Sequence, residues 1–407
     1  MINWFSILWF PKLMLGLLML LFCLGCQASE GGGRELATAY NCAAIPDAII
    51  DQQTDWNADE WRTICSLWLG SLPPLPPNPS NMFADDPEAA QLGEKLFFDP
   101  RFSANKSVSC ATCHDPALHF TDGLPVAFGL AEGTRNTQTL IGIAYSPWFF
   151  WDGHKDSLWS QALEPLETEV EHGLSRSEVV AIFIADKQYR EAYERMVGQS
   201  ALNQDVTEVF VHLGKAMAAY ERTLMPTSTR FDHYIAGILG PSEGLTETFT
   251  EEERAGLDLF INKGQCINCH NSPLFTNHDF HNTGVAALPD PARLEGAQRV
   301  QDDPFNCLSA YSDAAPNACT ELRFIKIDRA TSFGAFKTPT LRNIAQTAPY
   351  MHAGQLAELA DVLQHYNTSP LTWRPPPFGH NELAPINLTA EEMKQVEAFL
   401  RSLTSVH

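Results

Sequence analysis

Cys110-Ala-Thr-Cys113-His114 and Cys266-Ile-Asn-Cys269-His270 each bring two thiols and an imidazole together within five residues. That pentapeptide attaches a haem c: the cysteines add across two vinyl groups, and the histidine binds the iron from one side. A redox Cys-x-x-Cys needs no following histidine, and a four-cysteine zinc site would leave both histidines idle. Neither explains the same pentapeptide twice, so two covalent haem c groups are expected, with iron on His114 and His270. A haem with one open face can activate peroxide, whereas two strong axial ligands restrict it to passing electrons. The residue opposite each histidine therefore decides the function.

The elements around these motifs must build two pockets. A chain of 407 residues that is 44% hydrophobic is long enough for two cores, and the motifs, 156 residues apart, suggest one haem in each. Residues 1–25 read as an export signal in which Lys12 is the only positive charge and the apolar stretch Leu13 to Leu24 is too short to span a bilayer. Its end, Phe22-Cys23-Leu24-Gly25-Cys26, resembles a lipoprotein cleavage site with Cys26 as the acylated residue; simple cleavage nearby is the alternative. Export to the periplasm suits haem c, and a lipid on Cys26 would tether the protein to the outer membrane. The four remaining cysteines should then pair locally, Cys42 with Cys65 and Cys307 with Cys319, unless they are free buried thiols. A net charge of -22 argues against nucleic acid and permits steering of a basic protein partner.

Along the chain, Gly31-Gly32-Gly33 reads as a flexible spacer. Residues 26–82 form an N-terminal extension and linker carrying Trp56, Trp61 and Trp68 and a stiff proline run from Pro73 to Pro79. Domains are expected at 83–240 and 241–407. Apolar spacing predicts helices over Ser177–Val197 and Asp205–Leu224, with an interdomain link at Pro226–Thr248. A helix starting at Thr250-Glu-Glu-Glu253 leads into the second motif, an irregular stapled insertion follows, and Thr389-Ala-Glu-Glu392 caps a final helix to Leu403. Strand signals are weak and no repeat beyond the two motifs is visible, so the fold should be mainly α.

Several blocks, in order, carry a family resemblance: Leu96-Phe-Phe-Asp-Pro100, both haem motifs, Phe150-Trp-Asp-Gly153, Gln161-Ala162, and Lys337-Thr-Pro-Thr-Leu-Arg-Asn343 running on to Pro349-Tyr-Met-His352. Over residues 83 to 405 the chain resembles the bacterial dihaem cytochrome c peroxidase and MauG superfamily. The resemblance implies two class I cytochrome c-like domains packed together, with peroxide reacting at the N-terminal haem. It implies that Gln161 and Glu171, ten and twenty residues beyond Trp151, line that pocket, and that Trp151 relays electrons between the haems. A carboxylate suits the task because one positioned acid/base can take a proton from peroxide and return it to the leaving oxygen. Without the resemblance, Glu164, Glu167, Glu169 and Glu171 would read as a solvated acidic run, and Trp151 as core. The family's calcium site falls on Asn136, Thr347 and Pro349, which singly are ordinary turn residues.

Two departures sort the branches. Leu130 stands sixteen residues after His114, where resting peroxidases often carry a blocking histidine, so the first haem should keep an open face. Tyr366 stands fourteen residues after His352, where peroxidases place a methionine and MauG a tyrosine. A phenolate iron ligand lowers the haem potential, opposite to methionine. Otherwise Tyr366 is a packing residue at the end of a helix over Gln355–His365, with Met351 or nothing as ligand. The resemblance thus implies a MauG-like enzyme that uses hydrogen peroxide to reach high-valent iron and oxidise a partner protein. The alternatives are a peroxidase fed by a small redox protein and a non-catalytic dihaem cytochrome.

Overall fold

The computed structural model describes residues 42, 56–239, 249–285, 290–315, 317–368 and 381–406. The export signal, Cys26 and the glycine spacer lie outside them. The fold is mainly α, as expected. The helices in chain order are α1 (Ala58–Leu67), α2 (Pro87–Phe97), α3 (Cys110–Cys113), α4 (Leu158–Glu167), α5 (Arg176–Ala185), α6 (Lys187–Val197) and α7 (Val206–Glu221). They continue as α8 (Arg230–Leu239), α9 (Glu251–Ile261), α10 (Arg293–Asp302), α11 (Thr320–Arg323), α12 (Arg329–Ser332), α13 (Leu359–Thr368) and α14 (Ala390–Arg401). Strands β1 (Phe280–His281) and β2 (Phe336–Lys337) form one antiparallel pair.

Apolar side chains gather in two large cores. The first draws on α2, α4, α5, α6 and α7, and the second on α1, α8, α9, α13 and α14. Each is built on a helix crossing that only a missing side chain allows. A Cβ on Gly93 of α2 would lie 2.0 Å from the Ala216 carbonyl oxygen of α7, and one on Gly256 of α9 would lie 1.9 Å from that of Gln395 in α14. Nearby aromatics such as Phe97 and Phe399 are fully buried, each contributing about 2 kcal/mol of apolar burial. In both halves the haem motif follows the first crossing helix. The shared residues are few and scattered: Gly93-x-x-Leu96-Phe97 matches Gly256-x-x-Leu259-Phe260, and the haem-binding residues match beyond them, which is too little to stand out as a sequence repeat.

Local signals set the helix ends. Asp86 caps α2 ahead of Pro87, and the expected capping boxes, Thr250 with Glu253 and Thr389 with Glu392, open α9 and α14. The pattern over Ser177–Val197 divides at Asp186, which ends α5 and caps α6 through the Gln188 amide. The insertion after the second motif is less irregular than expected: α10 lies within it, and Val300 and Leu322 bury against Trp148. The helix expected at Gln355–His365 begins at Leu359 and runs past Tyr366 to Thr368.

The extension is bound to the second core. Trp61, Ile64 and Leu67 are fully buried there, and Trp56 donates through Nε1 to the Tyr234 hydroxyl at 3.0 Å. Arg342 donates to the Leu67 carbonyl (3.1 Å) and the Pro273 carbonyl (2.7 Å) and forms a buried pair with Asp232, which also accepts from the Leu69 amide at 2.8 Å. Removing one partner of such a pair costs about 3–5 kcal/mol.

Candidate active site

A capping box from Ser109 and Thr112 folds Cys110–Cys113 into one helical turn, while Cys266–Asn268 forms a 3-10 turn. Among the described residues these four cysteines are the unpaired ones. Cys42 with Cys65 and Cys307 with Cys319 form the two local disulfides read from the sequence, each with Cα atoms 5.7 Å apart. His114 Nδ1 lies 3.1 Å from the Phe120 carbonyl and His270 Nδ1 2.9 Å from that of Phe275. Nδ1 donating to a carbonyl leaves Nε2 its lone pair, the tautomer an iron requires. Burial lowers the pKa of His114 and pushes that of His270 down to about 4, which keeps both imidazoles neutral. Cys266, Cys269, His270 and Tyr366 line a cavity of about 550 Å³ with Leu359 and Leu363 in its wall. Its size, apolar wall, thiols and neutral imidazole fit a haem c.

Around the first motif, the chain turns back after α4, with the His172 amide donating to the Pro165 carbonyl at 3.2 Å and Leu174 to Leu166 at 3.0 Å. This turn carries Glu171 to the thiol side of the motif, where its charge acts on Cys110 and Cys113. Burial, then the nearby Glu164 carboxylate, push Glu171 up to about 7, with His154 opposing. The residue is thus poised between donor and acceptor near neutral pH. Leu130 runs directly alongside, its amide 3.2 Å from the Glu171 carbonyl. Gln161 sits half-buried on α4, one turn before Glu164. The acidic run is not uniformly solvated. Glu167 and Glu169 are exposed, whereas burial of Glu164 is outweighed by His154, Lys155 and Arg299, which hold it down to about 2.

Trp151 is 8% exposed and lines the 550 Å³ cavity, donating through Nε1 to the Asn136 carbonyl at 2.8 Å. Its own carbonyl accepts from Lys337 of β2 at 2.8 Å, which ties the block to the second half of the chain. Tyr366 lies in the wall of the same cavity. Burial first, then the cysteines Cys266 and Cys269, push its phenol above the ordinary value. Met351, His278, His281 and His352 line the cavity too. Asn136, Thr347 and Pro349 all line this cavity, and Asn136 spends its amide Nδ2 on the Leu124 carbonyl (2.9 Å), leaving Oδ1 as the acceptor. Among the described residues no three His, Cys, Asp or Glu side chains are grouped to hold a metal ion. The oxygens of these three residues are a different donor set.

Two groups escaped the sequence reading. Glu221, at the end of α7, is 4% exposed, with Oε2 unpartnered, and burial pushes it up to about 8 while it acts on Cys110. Its signal was an acid in register with the buried Phe210, Gly214 and Met217 on the apolar stripe. Lys337 is 4% exposed, donates to the Trp148 carbonyl at 2.8 Å and is pushed down by burial to about 7. It sits inside the quoted Lys337–Asn343 block, without any pattern that marks its burial.

The family model described as di-haem cytochrome c peroxidase (CCP_MauG) matches residues 87–238. The chain is 32% identical over 319 residues to the methylamine utilization protein MauG of Methylorubrum extorquens, covering 78% of each chain. It is 33% identical over 353 residues to the cytochrome-c peroxidase IdrP1 of Denitromonas iodatirespirans, 83% of this chain and 86% of that one. The crystal structure of a MauG-like protein associated with microbial copper homeostasis superposes with a TM-score of 0.63 at 27% identity, covering 83% of this chain and 96% of that one.

Proposed function

The chain belongs to the di-haem cytochrome c peroxidase and MauG family of peroxide-dependent oxidoreductases, and from that premise we propose the MauG-like route, in which peroxide is spent on oxidising a docked partner protein. A bound haem supplies cleavage of the peroxide bond and storage of the two oxidising equivalents. Glu171 takes the proton of hydrogen peroxide and returns it to the departing oxygen, which leaves as water; Gln161 orients the peroxide by hydrogen bonding. His114 and His270, with Nδ1 spent on backbone carbonyls, would hold the irons through Nε2. The side chain of Trp151, buried between the two halves, carries electrons between them.

The observation that carries this reading is the Tyr366 phenol beside Cys266 and Cys269. Burial keeps this phenol protonated, and binding to a haem iron would release its proton; the anionic oxygen donor would then favour oxidised iron and make the second haem a poor entry point for electrons, which supports oxidation of a partner over simple peroxide removal. Asn136 Oδ1 with the Thr347 and Pro349 carbonyls would hold calcium in the same wall, an oxygen-only set that suits it. Domains at 83–240 and 241–407, a periplasmic location and a lipid on Cys26 complete the proposal. No helix of the described residues is long and apolar enough to cross a membrane.

The test is the absorption spectrum of the fully oxidised protein after one equivalent of hydrogen peroxide. The expected result is a long-lived oxidised spectrum that Tyr366→His abolishes without loss of haem. Turnover only after partial reduction, by electrons from a small redox protein, would establish the peroxidase route instead.

A further inference from the structure

A chain that generates strong oxidants must contend with those that find no partner, and the first core contains a second phenol built for oxidation. Tyr193 of α6 is fully buried, and its hydroxyl lies 2.7 Å from Nδ1 of His212 on α7. Burial first, then the Lys215 ammonium, push His212 down to about 4, with Asp313 opposing, so the imidazole is a neutral base able to take the phenolic proton. The Tyr193 oxygen is also 3.0 Å from the side-chain amide of Gln204, whose buried Nε2 has no partner. Turning that amide over, a choice set by hydrogen bonding alone, makes Nε2 donate to the phenol oxygen and leaves the phenolic proton to His212.

The pair is wired toward the peroxide pocket. The Tyr193 ring lies 5.8 Å from that of Phe183, Phe183 stacks on Tyr189 at 5.3 Å, and Tyr189 lies 5.8 Å from Phe102. The Phe102 carbonyl is in turn 2.7 Å from Nδ1 of His172, the neighbour of Glu171. Tyr189 is itself a phenol paired with a base, donating to Asp99 Oδ2 at 2.7 Å. Aromatic rings in near contact form a route for single electrons that is separate from Trp151.

We propose that Tyr193 and His212 form a redox-active phenol–imidazole pair that takes up an oxidising equivalent escaping from the first haem pocket when no partner protein is docked. The proposal rests on peroxide reacting at that pocket. In the step, one electron leaves Tyr193 along Tyr189 and Phe102 to the peroxide-derived oxidant, which is reduced by one electron. The phenolic O–H bond breaks, its proton forms the N–H bond on His212 Nδ1, and a neutral tyrosyl radical faces an imidazolium. The burial and Lys215 charge that keep His212 neutral also make this imidazolium costly, so the pair stores an equivalent only when the productive route is idle.

The experiment is electron paramagnetic resonance of holoenzyme frozen after peroxide addition without partner protein, with the haem absorption recorded on the same samples. The expected result is a tyrosyl signal that narrows when the protein contains ring-deuterated tyrosine. Tyr193→Phe, which keeps the packing, should abolish it, and His212→Gln should diminish it, while the haem absorption of both variants still responds to peroxide. A responding haem with no tyrosyl signal, or with one that survives Tyr193→Phe, overturns the proposal. A haem that fails to respond at all overturns the peroxide reading that supplies the oxidant, and this proposal with it.

Discussion

If Glu171 is the group that accepts the proton of incoming peroxide, the rate of that reaction must follow its ionisation. Burial and Glu164 set the midpoint at about 7. At pH 6 only about one in eleven molecules carries the carboxylate and at pH 8 about ten in eleven, so the second-order rate should rise roughly tenfold over that interval and then level off. Glu171→Gln removes the base and should lower the rate by about 100- to 10,000-fold, the usual range for a positioned acid/base, with no inflection left near neutrality. Glu164→Gln gives the finer check. Its carboxylate raises Glu171, so neutralising it should move the midpoint to lower pH while sparing the plateau rate. The assay is stopped-flow absorption of the oxidised holoenzyme against peroxide from pH 5 to 9. The reasoning fails if Glu171→Gln keeps the wild-type midpoint or reacts at an undiminished rate.

Glu221 holds a proton in the folded protein up to pH of about 8, whereas its ordinary value is 4.5, so the folded state loses stability as pH rises through that window. Glu221→Gln should therefore stabilise the protein by ~5 kcal/mol at pH 9 and change little at pH 4.5, measured by urea unfolding; equal effects at both pH values would contradict the assignment. Gly256→Ala forces a Cβ to within 1.9 Å of the Gln395 carbonyl, and it should cost more than about 3 kcal/mol and reduce haem incorporation at the second motif, read by haem stain after separating the halves proteolytically. Trp151→Phe keeps an aromatic ring but deletes the indole and its bond to the Asn136 carbonyl; peroxide should still react at the first haem, while the absorption change at the second is slowed, and simultaneous changes at both would remove Trp151 from the route.

The sequence was most legible where a few adjacent residues carry the physics. The haem pentapeptides, the capping boxes at Thr250 and Thr389, and the disulfides between nearby cysteines all depend on short spacings. The buried setting of Glu171 had no local signal, since it comes from the turn after α4 and from Leu130 some forty positions earlier. Tyr193 and His212 lie nineteen residues apart and meet only because α6 and α7 share a core, so no local pattern announces them. The same holds for Arg293, whose guanidinium sits 4.3 Å from the Trp148 ring and 4.0 Å from Phe280. A charge in an apparently irregular insertion reads as solvent-facing until the fold closes over it.

The stapled extension also sets a timetable for folding. Its tryptophans belong to a core whose other walls are α8, α9, α13 and α14, so the second haem compartment is completed by residues near both ends of the chain. Most of the first compartment lies within one continuous stretch and has shorter loops to close, although Phe305 joins it later. As the polypeptide emerges, the first half can assemble while its partner still waits for α14. On that order of assembly, the second pair of cysteines would stay open to haem attachment until the last helix docks.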